Sequence, residues 1–237
     1  VALEGSREVA VIDVWNKKEI KRFTAGRAPQ GLVVSPDGRT VYVQNFMDRT
    51  VTVHDVGTLI DGGDKTPVQV ATLNSVSTER LSATVLLGKQ LFYDAADSRL
   101  AFQQYISCAA CHNDGGQDGR VWDFTGVGEG LRNTITLRGH GGTSHGPLHW
   151  SGNFDEVQDF ENQIRNLAQG SGLIAIGSPH APMGLPNAGR SADLDALAAY
   201  LASLTTLDES PARSADGSLT TEAAAGKLVF QTMNCAQ

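Results

Sequence analysis

The chain is short of cysteine, aromatic residues, positive charge and long apolar runs, and each shortage removes a class of protein. Three cysteines, Cys108, Cys111 and Cys235, are too few and too odd in number for a disulfide framework. The longest candidate for a membrane span, Leu194 to Leu204, is broken by Asp195 and Ser203 and falls short of the ~20 apolar residues that cross a bilayer. Lys and Arg number 19 against 26 Asp and Glu, for a net charge of −7, and no dense basic cluster is present, so no nucleic-acid partner is expected. Val1 opens the chain without a basic, apolar and small-residue leader, which predicts a trimmed or mature start. What remains is ample for folding: 237 residues, 41% of them apolar, suit one large or two small domains and exclude a disordered chain.

Glycine is in excess, 26 of 237 residues, against an ordinary share of ~7%. The glycines concentrate in 115–189 without a period and predict a loop-rich segment there. Before it, Glu8 to Val56 alternates apolar and polar residues, which predicts short antiparallel strands at Val9–Val14, Glu19–Thr24, Gly31–Ser35, Val41–Asn45 and Thr50–Val56. Ser35-Pro36-Asp37-Gly38 supplies the turn between the third and fourth. The strand, Ser-Pro-Asp-Gly, Val-Tyr-Val-Gln-Asn and the next strand resemble the Tyr-Val-Thr-Asn type of β-propeller repeat over about one and a half blades. A ring needs ~4–8 blades, so this resemblance implies open strand edges that pair with another chain or are covered by more of this one. His54 and the exposed Trp15 are expected to be structural.

The period becomes helical from about Ser82, with Leu81, Val85, Leu86, Leu91 and Phe92 on one face. A second helix is predicted at Glu156–Leu167. A third follows Ser191 as N-cap, with Asp193 and Asp195 in its first turn and Leu194, Leu197, Ala198, Leu201 and Leu204 on one face.

Cys108-Ala109-Ala110-Cys111-His112 is the attachment signature of c-type haem. Thiols three residues apart on one turn can add to two vinyl groups of one porphyrin, and the next residue offers its imidazole to the iron. The rivals lack context: a redox Cys-x-x-Cys pair needs a preceding βαβ unit, and structural zinc needs four ligands. For the sixth iron position the chain offers Met183, with His149, His145, His140 and His180 as further candidates. Met there raises the potential and closes the iron, His lowers it, and an open position admits a substrate. Arg132 and Arg138 suit haem propionates, since guanidinium pairs with carboxylates bidentately. Glu129, Glu156 and Glu161 have the chemistry for acid–base work, but a Glu on a loop or helix face is usually solvated, so the catalytic role stays unassigned.

Near the other end, Gly226-Lys227-Leu228-Val229-Phe230 and Asn234-Cys235 echo Gly88-Lys89-Gln90-Leu91-Phe92 and Ser107-Cys108. The echo stops where a second Cys and His would follow, which predicts a longer parent chain with a second haem.

Several of these stretches in order, Gly88 to Asp94, Ser107 to His112, Asp118-Gly119-Arg120, Leu131 to Gly139 and His149-Trp150-Ser151-Gly152, resemble the di-haem cytochrome c peroxidase and MauG-type family over about 82–168. The resemblance implies a periplasmic or extracellular two-haem oxidoreductase in which one haem meets hydrogen peroxide and the other exchanges electrons with a redox partner protein. It places Trp150 on the electron route between haems. The family's His on the far side of the first iron has no counterpart in Asn113–Gly130.

The fold class expected is α+β: partial β-propeller blades over 1–74, a mainly α-helical cytochrome c-like haem domain over 75–212, and the truncated start of a second cytochrome c domain over 213–237. Haem c would be covalent through Cys108 and Cys111, and a chain made without the maturation machinery would be an apo-protein. Three functions compete: the redox module of a di-haem peroxidase-like oxidoreductase, a simple electron carrier closed by Met183, and a non-enzymatic extracellular propeller scaffold with an auxiliary haem segment.

Overall fold

A computed structural model describes residues 1–63, 65–139, 147–207 and 209–235. The chain forms two compact units, 1–205 and 206–237. The first holds both the strands expected at 1–74 and the helices expected beyond them.

It opens with two antiparallel sheets. The first contains β1 (Ala2–Leu3), β2 (Glu8–Asp13) and β3 (Lys18–Thr24) in that order. The second contains β4 (Pro29–Val34), β5 (Thr40–Asn45), β6 (Thr50–Asp55) and β7 (Val68–Asn74), with the one-turn α1 (Gly57–Ile60) between the last two strands. Alternation along β5 turns Val41, Val43 and Asn45 inward and leaves Tyr42 and Gln44 outside. Val43 sits between Leu32 and Thr52, and the inward face joins Val9, Phe23, Val41 and Val56 in an apolar cluster. The β4–β5 turn is made by its own side chains: Ser35 Oγ accepts from Thr40 N at 2.9 Å and Asp37 Oδ1 from Arg39 N at 3.0 Å. His54 is buried, with its ring 4.8 Å from that of Phe23, while Trp15 stands in solvent. Neither sheet closes on itself. β7, which alternation between Glu8 and Val56 did not reach, is exposed along its whole length.

α2 (Ala83–Phe92) begins at Ser82, whose Oγ accepts from Val85 N. In the segment expected to be glycine-rich loop, a hairpin of β8 (Val121–Phe124) and β9 (Gly130–Asn133) forms instead, turning through Gly128 at φ 86°. The helix predicted at Glu156–Leu167 is a 3-10 turn, Val157–Phe160, running into α3 (Glu161–Asn166). α4 (Ala192–Ala202) is capped by Ser191 as its sequence requires. It crosses α2 at Gly88, where a Cβ would lie 1.8 Å from the Ala196 carbonyl oxygen; only glycine allows this approach. The crossing builds the main core from Leu91, Phe92, Leu194, Leu197 and Tyr200. Met47 from the sheet region joins the same core, and Gln90 Nε2 donates to the Met47 carbonyl at 3.0 Å.

The second unit contains α5 (Thr221–Thr232), capped by Thr220, with Leu228, Val229 and Phe230 exposed and Cys235 just beyond it. Among the described residues no helix is long and apolar enough to cross a membrane.

Candidate metal centre

The haem motif is a single 3-10 turn, Cys108–Ala110. Cys111 N and His112 N both donate to the Cys108 carbonyl, at 3.3 and 2.9 Å, which wraps the five residues of the motif around one point. Ala109 is the anchor: it is buried in the main core, so the turn cannot rotate away. From below, the buried Tyr93 at the end of α2 fixes the next turn, its hydroxyl donating to Asp114 Oδ1 at 2.8 Å and accepting from Asp114 N at 3.1 Å. Burial and that carboxylate push the Tyr93 phenol far above its ordinary value, so it stays protonated. Arg138 Nε donates to the Asp114 carbonyl at 2.9 Å, which brings one of the two predicted propionate partners onto the turn after the motif.

Both motif thiols are free. Burial pushes Cys108 up to about 11, and burial first, then Asp118, raises Cys111. Raised thiols are the reverse of the lowered pair used in disulfide exchange. Among the described residues no three His, Cys, Asp or Glu side chains come together as a metal site. The donor set therefore suits thioether attachment better than zinc or redox exchange. His112 completes it. Its Nδ1 donates to the Gly116 carbonyl at 3.4 Å, the arrangement that orients an imidazole ligand. Burial holds the ring below the usual imidazole value, against the pull of the Gly116 and Ile135 backbone, which favours the neutral form that ligates a metal.

A second cluster gathers other predicted residues. Trp150 Nε1 donates to the Asn133 carbonyl at 2.8 Å, and its ring lies 5.0 Å from Phe124 and 4.4 Å from His149. His149 stacks on Phe154 at 4.8 Å and 8°, with Nδ1 donating to Asn153 Oδ1 at 2.8 Å. Glu129 lies 3.5 Å from His149 and 3.6 Å from Arg132, and accepts from Ser151. Arg132 thus has a carboxylate partner in the protein itself.

Met183 and His180 belong to a third group. Met183 is exposed in a loop at φ 61°, and His180 Nδ1 donates to the Pro186 carbonyl at 2.8 Å. His140 and His145 lie outside the described residues.

The expectation that Glu156 and Glu161 are solvated is corrected. Glu161 is fully buried and accepts from Leu173 N at 2.9 Å, Ile174 N at 3.1 Å and Arg165 Nε at 2.8 Å. Glu156 accepts from the backbone N–H groups of Asn187 and Ala188. Both serve as backbone acceptors for the 170–189 loop. Sequence reasoning missed Asn187, Asp159 and the Tyr93–Asp114 pair; the partners are 21 to 28 residues apart, and no local pattern marks them.

Residues 82–173 match the family model described as di-haem cytochrome c peroxidase. The chain is 32% identical over 156 residues to hydrazine synthase subunit gamma of Kuenenia stuttgartiensis, covering 63% of this chain and 40% of that protein. A solved structure of Kuenenia stuttgartiensis hydrazine synthase, pressurised with xenon, aligns with a TM-score of 0.41 at 24% identity, over 65% of this chain and 46% of the other. The chain thus spans less than half the length of the curated relative it matches. The Cys108–His112 turn, the paired Tyr93 and the Trp150 cluster all lie inside residues 82–173, the stretch of this chain that is similar to the di-haem cytochrome c peroxidase family.

Proposed function

We propose that this chain is a c-type haem protein, the redox module of a di-haem cytochrome c peroxidase-like oxidoreductase. The observation that carries the reading is the Cys108–His112 turn: two free thiols on one turn, followed by an imidazole with Nδ1 engaged by the Gly116 carbonyl. Cys108 and Cys111 would hold the porphyrin through thioethers, and His112 Nε2 would ligate its iron. Bound there, the haem supplies one-electron transfer. Arg138, and Arg132 if released from Glu129, would pair with propionates, and Trp150 would pass electrons towards the neighbouring haem.

Met183 is the favoured sixth ligand. Met183 is exposed, whereas His149 is stacked on Phe154 and bonded to Asn153. That choice favours electron exchange with a partner protein at this haem and leaves hydrogen peroxide to the second one, whose attachment would begin at Cys235. The likeness to a synthase subunit supports an enzyme component over a bare binding scaffold. The seven strands would be part of a β-propeller whose open edges pair with more chain or a second copy, and the protein would work in the periplasm or outside the cell.

The test is a pyridine haemochrome assay on protein made in a host with cytochrome c maturation machinery. Covalent haem should accompany the chain through denaturing electrophoresis and vanish in the Cys108→Ala, Cys111→Ala double variant. A wild-type chain without haem sinks the reading.

A further inference from the structure

His112 runs directly into Asn113-Asp114-Gly115-Gly116, where the chain reverses. Asp114 and Gly115 both stand in the left-handed region, at φ 50° and 72°. Gly115 N donates to the His112 carbonyl at 2.9 Å and Gly116 N to the Asn113 carbonyl at 2.8 Å. The reversal returns the Gly116 carbonyl to the His112 ring, whose Nδ1 donates to it at 3.4 Å; the Ile135 backbone is the ring's other partner. At Gly115 a Cβ would lie 2.7 Å from Leu204 Cδ1, so glycine is required there for space as well as for φ. Asp114 tolerates the left-handed region better than most residues, yet it stays there only where its surroundings favour it.

The contact that selects this conformation comes from the core. Tyr93 reaches Asp114 at two points, its hydroxyl donating to Oδ1 at 2.8 Å and accepting from N at 3.1 Å. One oxygen that meets both the carboxylate and the N–H of a single residue restricts the φ and χ1 of that residue together. Tyr93 is itself immobile: it is 1% exposed, ends α2, and packs edge-on against Phe46 at 6.0 Å and beside Phe92 at 5.8 Å. The far side of the turn is tied as well, with Leu137 N donating to the Gly115 carbonyl at 2.7 Å and Arg138 Nε to the Asp114 carbonyl at 2.9 Å. Those ties hold carbonyls. The N–H and carboxylate of Asp114 are met by Tyr93.

We infer that Tyr93 is a positioning residue for the iron ligand: its hydroxyl holds Asp114 left-handed, the turn thereby returns the Gly116 carbonyl to His112, and that carbonyl fixes the imidazole and its tautomer. The role rests on the proposed ligation by His112 and adds what sets the orientation and basicity of that ligand. A carbonyl on Nδ1 makes the other ring nitrogen more basic, and a more basic ligand favours ferric iron. Loosening the turn should therefore raise the haem potential.

The experiment uses the whole haem-loaded chain from a host with cytochrome c maturation machinery. It has two readouts besides activity: the midpoint potential, and hydrogen exchange at the Asp114 amide and the His112 Nδ1–H followed by NMR. In the wild type both protons should exchange slowly. Tyr93→Phe, which removes only the hydroxyl, should raise the potential and speed exchange at both positions roughly tenfold, the size of one lost buried hydrogen bond. Asp114→Ala should do the same, and it carries the test if Tyr93→Phe does not accumulate. Asp114→Asn keeps an acceptor oxygen and tolerates the left-handed region, so it should recover most of the difference. Val43→Ala, which opens a cavity behind β5, should lower Tm without moving the potential.

Covalent haem whose potential is unchanged or lowered by Tyr93→Phe and Asp114→Ala overturns the positioning role and spares the ligation. A potential that moves as far with Val43→Ala as with Tyr93→Phe overturns it too, because the effect would then follow stability alone. A haem spectrum that survives His112→Ala unchanged overturns the ligation reading, and the role of Tyr93 with it.

Discussion

The sheet region, residues 1–74, and the motif-bearing region, residues 75–205, satisfy their backbones in opposite ways. In the sheets N–H and C=O groups meet across regular ladders, and side chains choose which face is wet and tie the turns between strands. Beyond residue 75 the helices α2 and α4 are short, and long loops are met by acidic and amide side chains: Glu161 for 173–174, Glu156 for 187–188, Asn187 for His180. A ladder spreads stability over many interchangeable residues. A loop tied by buried polar groups concentrates it in a few, because each removed partner strands several backbone groups at once. The same substitution should therefore have very different effects in the two regions.

The sharpest version sets Glu161→Ala against Glu19→Ala. Glu161 is fully buried and serves two amides and Arg165, so its loss should cost about 3–5 kcal/mol, read from urea midpoints of the haem-free chain. Glu19, on β3 beside Arg22 in solvent, should give no measurable change. Equal effects would break the contrast.

Next in size is Gly88→Ala. A Cβ forced towards the Ala196 carbonyl must part α2 from α4, at about 3 kcal/mol and a clear fall in Tm. An unchanged Tm would mean that the helices are free to slide.

The sheets have a smaller, pH-dependent weak point. Burial lowers the His54 pKa, so the fold holds the ring neutral while the unfolded chain takes up a proton at its ordinary value. The stability this implies is complete above roughly pH 6.5, the ordinary imidazole value, and is lost as pH falls below it. Urea midpoints between pH 7 and pH 5 should fall more steeply in the wild type than in His54→Gln.

The smallest stability effect belongs to Val70→Lys. On the fully exposed β7 it should change stability by less than about 0.5 kcal/mol. It should also reduce self-association in sedimentation, because a charged side chain blunts an open sheet edge. A large loss of stability there would show that β7 is packed rather than bare.

Legibility follows the same divide. Five strands could be read from alternation at Glu8 to Val56, and the Ser35–Gly38 turn from its residues, because a strand's side-chain period and a turn's chemistry are local. α4 was readable from Ser191 and its leucines for the same reason. The hairpin β8–β9 was not, since its strands are four residues each and glycine flanks them, which hides any period. The helix expected at Glu156–Leu167 splits where Glu161 must reach back to residues 173–174, a tertiary demand with no local mark. Gly172, at φ 91° beside that carboxylate, is part of the same arrangement.

At the centre, the sequence by itself determined the haem-attachment motif, because two thiols and an imidazole at fixed spacing need only one turn of chain to come together. It also determined where the best helix starts and which strand faces are apolar. Only the tertiary structure decided that burial raises both thiols and lowers His112, that the His112 Nδ1 is engaged, and that Asp159 and Glu161 are buried acceptors. The physical reason is that protonation, burial and backbone pairing across twenty or more residues depend on which surfaces meet, and no local spacing records that.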